Sequence, residues 1–162
     1  MNKTILSLFA VSLLGFLPTS ASLAQNGNKL DSLRQCVPET QGRYLVDSMN
    51  VIGEIPYRGG TLYHAVLNFD GQAKQVQGEV AIHFKDEKCS LIYESSYWGG
   101  GQELTEVFDR DVSRQLAYQW LAHRVEITGR DVIQKSLNSP GPVIPDHYVW
   151  AYKQLGFSVP HQ

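Results

Sequence analysis

The chain reads as an α+β domain: an antiparallel meander of about four strands, covered on one face by a long amphipathic helix from the C-terminal half plus two shorter helices. Three observations predict it. Apolar residues recur every second position between about residues 42 and 95, they recur every three to four positions after residue 103, and the two patterns occupy consecutive blocks instead of alternating.

The elements follow in order. Residues 1–24 read as a secretory leader, with Lys3 at a positive start, an apolar run from Ile5 to Leu17, and small residues at Ser22-Leu23-Ala24 where cleavage is expected. The run is shorter than the roughly 20 residues of a membrane span, and nothing later approaches that length, so no stable membrane insertion is expected once the leader is cut. Neither a lipidated cysteine at position 25 nor a twin arginine is present. Residues 25–41 form an N-terminal segment in which Leu30, Leu33 and Val37 predict a short helix over 29–36, ending before Pro38. Residues 42–162 then make one domain.

Within it, "RYLVDSM" is the first strand, with an extension through Val51 to Ile55. In "TLYHAVLNF", residues 61–69, Tyr63, Ala65, Leu67 and Phe69 share one face and Leu62, His64, Val66 and Asn68 the other. Asp70-Gly71 opens a hairpin turn. "QGEVAIHF" places Val80, Ile82 and Phe84 together, Asp86-Glu87-Lys88 turns the chain, and "CSLIYES" returns. After Gly99-Gly100-Gly101, Leu104, Phe108, Val112, Leu116 and Trp120 recur at steps of four, which predicts one helix of some twenty residues ending at Thr128-Gly129. "RDVIQKSL" is a second helix and Ser139-Pro140-Gly141-Pro142 a loop. Pro145 begins a last helix, closed by Gly156.

Charge excludes several partners. The whole chain carries 14 basic and 16 acidic residues, and removal of Lys3 with the leader leaves 13 against 16, interspersed without runs. No basic footprint for nucleic acid or for an anionic membrane results. No Asn-x-Ser/Thr sequon follows the leader, which favours a bacterial periplasm or secretion over a eukaryotic route. In that oxidising setting the only two cysteines, Cys36 and Cys89, are expected to form a disulfide, removing chain entropy worth about 4 kcal/mol from the unfolded state.

Chemistry is sparser. "SSYWGGGQELTE" sets Tyr97 and Trp98 beside three glycines ahead of a helix, but Glu103 and Glu106 occupy the first turn where a phosphate would bind, and neither a P-loop nor a dinucleotide spacing is present. Tyr97 and Trp98 suit ring stacking or a protein contact, with core packing as the alternative. His64 and His83 lie on adjacent strands, on the face opposite the expected core, with no third metal ligand at a suitable spacing. His123 is placed near a helix C-terminus, where positive charge suits the dipole. Asp146-His147 resembles part of a triad without its serine, since no G-x-S-x-G occurs. Glu94 with Glu103, and Asp109 with Asp111, read as solvated carboxylates.

The function expected is therefore an exported, non-catalytic module that binds a small molecule or protein, without metal or cofactor. Its contact surface would be the outer sheet face (Leu62, His64, Val66, His83) or the Tyr97-Trp98 loop. The alternative is a small hydrolase-like enzyme built on His64, His83 or His147 and nearby carboxylates. The two differ in whether histidine and carboxylate converge in a pocket.

Overall fold

The structure, a computed structural model, describes residues 29–41, 44–70, 77–96 and 103–160. The leader, most of the Asp70-Gly71 turn, and Tyr97 and Trp98 lie outside the described residues. Helix α1 spans 29–34, and the strands are β1 (Thr40–Gln41), β2 (Tyr44–Tyr57), β3 (Gly60–Phe69), β4 (Gln77–Lys85) and β5 (Lys88–Ser96). Helices α2 (Leu104–Val107), α3 (Arg110–Thr128), α4 (Arg130–Leu137) and α5 (Asp146–Gln154) follow.

The α+β class and the antiparallel meander stand, with five strands in the order β1-β2-β3-β4-β5 instead of four. The added strand is two residues long, too short to carry any period. Strand β2 takes up the expected extension as one 14-residue element, accommodated by register irregularities at Val46/Ser48 and Val51/Gly53. Two tight hairpins close one end of the sheet. Arg58 and Gly59 make the first with φ of 46° and 75°, Asp86 and Glu87 the second with φ of 51° and 60°. Positive φ at both central residues is the turn whose twist matches paired strands.

The layering corrects the expectation of a sheet covered on one face. Tyr63, Ala65, Leu67, Phe69, Val80 and Ile82 are buried as predicted, and they pack with Leu33 and Val37 from the N-terminal segment. Cys36 in that segment is bonded to Cys89 in β5, with a Cα–Cα distance of 6.0 Å. The long helix lies on the other side: Leu104, Phe108, Val112, Leu116, Ala117 and Leu121 pack with Ala151 of α5 against Ile55, Leu62, Ala81 and Tyr93. The face expected to be open is thus sealed, and Leu62, His64 and Val66 are all fully buried. A strand covered on both sides is apolar on both sides, so alternation along β3 says nothing about which face meets solvent.

The helical block also differs in detail. The predicted twenty-residue helix is broken at Phe108, which is extended (φ −120°, ψ 155°). Asp109 restarts it by accepting hydrogen bonds from the backbone N–H groups of Asp111 and Val112 at 3.0 and 2.9 Å. Glu103 and Glu106 form a capping box on the short α2, so their carboxylates are occupied at the helix start. Gly129, at φ 91°, both ends α3 and begins α4. Among the described residues no helix is long and apolar enough to cross a membrane.

Replacing Cys36 and Cys89 together by Ser is expected to lower unfolding stability by about 2–4 kcal/mol, read from urea titration of the oxidised parent against the variant. A loss below about 1 kcal/mol would mean that the bridge restrains the unfolded chain little.

Candidate functional site

His64 sits in the middle of β3, opposite Gly53 of β2 and Ala81 of β4. Glu79 stands two residues from Ala81 on the same face, close enough for a diagonal cross-strand contact. The His64 Nε2–H donates to Glu79 Oε1 at 2.7 Å, with His64 at 0 % and Glu79 at 6 % exposure. From above, α3 extends Gln119, whose amide lies 3.1 Å from His64 Nδ1. That amide suits either form of the ring, since its oxygen accepts from a protonated Nδ1 and its N–H donates to a bare one. Gly53 makes the approach possible: a Cβ there would collide with the Gln119 side-chain amide.

More polar groups surround this pair. Burial pushes the Tyr93 and Tyr148 hydroxyls well above the ordinary phenol value, and the charges of Glu79 and Glu103 add to the shift. His147, 5 % exposed, has its ring centre 4.6 Å from that of Tyr148 at a tilt of 44°, and its Nε2 has no hydrogen-bond partner among the described residues. Desolvation holds it below the ordinary imidazole value of 6.5, against the opposing pull of Glu103, Glu79 and Asp146.

The other candidates disperse. His83 is offset from His64 by two positions in the register, faces Leu62 across the ladder, and bonds the Tyr57 carbonyl at 3.0 Å. His123 lies more than a turn before the end of α3, outside the dipole position expected for it, and its burial lowers its pKa. Asp146 is exposed while its neighbour His147 is buried, so the apparent triad fragment is split by the helix surface. Glu94 accepts from Gln41 Nε2 at 2.7 Å, Asp109 caps α3, and Asp111 meets Arg110 in solvent. Among the described residues no three His, Cys, Asp or Glu side chains gather as a metal site.

Open space lies elsewhere, on the helical layer. One cleft, about 670 Å³, is walled by the 139–143 loop, Ile144, Tyr152 and Pro160. A second, about 410 Å³, runs between α3 and α5 and is lined by Gln115, Tyr118, Gln119, Trp150 and Gln154. Its walls follow from helix geometry. Gln115, Tyr118 and Gln119 share a face of α3 at i, i+3 and i+4, and Trp150 and Gln154 share one of α5 at i, i+4. Tyr118 is 39 % exposed, and the guanidinium of Arg114 lies 5.6 Å from the Trp150 ring centre. A third cleft of about 360 Å³ flanks Tyr118 and Gln119 on the side of His123.

Glu79, Gln119 and this cleft are absent from the sequence reading. One signal was available: a nine-residue apolar strand with a single central histidine requires a buried partner for that ring. Comparison with protein-family models, curated proteins and solved structures finds no match for this chain.

Glu79→Ala is expected to cost about 3 kcal/mol or more in urea unfolding, because it strands an imidazole N–H in the interior, while Glu79→Gln, which keeps an acceptor, costs less. His147 makes stability depend on pH. It is neutral in the fold and binds a proton more readily when unfolded, so its contribution is complete above 6.5 and is lost as pH falls toward the depressed folded value. In His147→Gln the decline in stability from about pH 7 to pH 5 should be shallower than in the parent, measured by denaturation at each pH.

Proposed function

We propose that the protein is an exported, non-catalytic binding module whose contact surface is the cleft between α3 and α5. The observation that carries this reading is the composition of that cleft. An exposed tyrosine and a partly buried tryptophan share it with three glutamine side chains, on two helices packed against a common core. Rigid aromatics with a few convergent hydrogen-bonding groups are the usual make-up of a ligand site. The side chains of Gln115 and Gln154 make no hydrogen bond with described residues, so their amides are available. The larger cleft supports the reading less, since one wall is an irregular Pro-Gly-Pro loop and the Ser139 hydroxyl is already donated to the Lys135 carbonyl.

Export is supported by the leader pattern of residues 1–24 and by the Cys36–Cys89 disulfide, which persists in oxidising compartments. Binding through Tyr97 and Trp98 stays in the proposal as an extension of the same role. The outer sheet face no longer serves, because α3 and α5 cover it.

A hydrolase-like enzyme is the second reading, favoured by the 2.7 Å His64–Glu79 contact. Against it, both ring nitrogens of His64 are engaged and the ring is wholly buried, so a substrate would have to displace Gln119 before reaching it.

The test is a screen of neutral, cationic and anionic fragments against ¹⁵N-labelled protein. Shift changes should gather at Gln115, Tyr118, Gln119, Trp150 and Gln154. Changes confined to residues 136–144, or a fragment set that moves nothing on the helical layer, would remove the α3–α5 cleft as the contact surface.

A further inference from the structure

We propose that the cleft between α3 and α5 takes a neutral polyhydroxylated ring, a mono- or disaccharide, as its ligand; this deepens the binding reading above and rests on it. Three features of the lining select that chemistry. First, none of the five lining residues is a carboxylate, an amine or a guanidinium: Gln115, Gln119 and Gln154 are amides, and Tyr118 and Trp150 are aromatic. A charged ligand would surrender hydration there without a counter-charge among the lining groups. The guanidinium of Arg114, beside Gln115 in the chain, is turned onto the Trp150 ring at 5.6 Å.

Second, the hydrogen-bonding inventory is mixed. Each glutamine amide offers one acceptor oxygen and two N–H donors side by side. Adjacent hydroxyls on a sugar ring, each both donor and acceptor, match that pattern, whereas a carboxylate or phosphate needs donors alone and an ammonium acceptors alone. Gln115 and Gln154 hold no other described partner, and Gln119 keeps its amide N–H groups when its oxygen faces His64.

Third, the aromatic surface is of the right kind. Sugar rings present an apolar face of C–H groups as well as a polar rim, and Tyr118, 39 % exposed, offers the complementary aromatic surface with Trp150 beside it in the lining. The volume, about 410 Å³, lies within the roughly 300–1,000 Å³ of small-molecule sites and toward the end suited to one or two rings.

Maltose, cellobiose and N,N′-diacetylchitobiose serve as neutral probes, with glucuronate and glucosamine as charged counterparts, each titrated into ¹⁵N-labelled protein and measured by calorimetry. The expected result is saturable binding of at least one neutral disaccharide with shifts at the five lining residues. The double variant Gln115→Ala, Gln154→Ala should weaken it by at least about tenfold with its thermal unfolding unchanged, since both positions are exposed. Neutral-sugar binding that the double variant leaves intact, or that shifts residues away from the cleft, overturns the proposal. So does a cleft that binds glucuronate or glucosamine, or charged fragments from the earlier screen, but no neutral sugar; the binding reading then survives without this ligand class. A cleft that responds to no sugar and no fragment overturns both.

Discussion

The contact between His64 and Glu79 constrains everything built above it. A carboxylate and an imidazole have been placed in the seam between sheet and helices, where either one alone would be costly and the two together are tolerable only with their remaining polar atoms satisfied. Glu79 answers one ring nitrogen and Gln119 the other. Because Gln119 belongs to α3, this requirement sets how that helix is rotated on the sheet, and so which of its side chains face α5. The absence of a side chain at Gly53 is what lets the helix come close enough.

From that rotation the helical surface follows. Leu116, Ala117 and Leu121 point into the sheet–helix core, leaving Gln115, Tyr118 and Gln119 along the α5 side. Gln119 therefore belongs to two neighbourhoods at once, with its amide on the buried ring and its side chain in the lining of the cleft. The chemistry of the core and the shape of the surface meet in one side chain.

How far the sequence carries is clear from particular elements. Strands β3, β4 and β5, helix α4, the Cys36–Cys89 bridge and the end of α3 at Gly129 all lie where periodicity, turn residues and caps place them. Local rules suffice there because each depends on neighbours in the chain. The two-residue β1 has no period to read. The split between α2 and α3 turns on Asp109 acting as a cap within what otherwise looks like a continuous apolar stripe. The largest misreading concerns the faces of the sheet: Leu62, His64 and Val66 look like an outer face only if the inner face is the sole buried one, and the N-terminal segment that covers the second face is too short to announce itself as a layer. Glu79 and Gln119 are 15 and 55 residues from His64, and no local pattern links positions so far apart.

The sulfur bridge has a consequence for the order of events as the chain is made. Synthesis proceeds from the N-terminus, so Leu33 and Val37 emerge well before the strands they are to cover, and Cys36 must wait for a partner 53 residues behind it. Until β5 has emerged and Cys89 is oxidised, the first lid of the sandwich is held by non-covalent contacts alone, among them the packing of Leu33 and Val37 and the Arg34 hydrogen bond to the Val46 carbonyl. The helical half of the chain, by contrast, follows the last strand and contains no cysteine, so its hold on the sheet is non-covalent throughout.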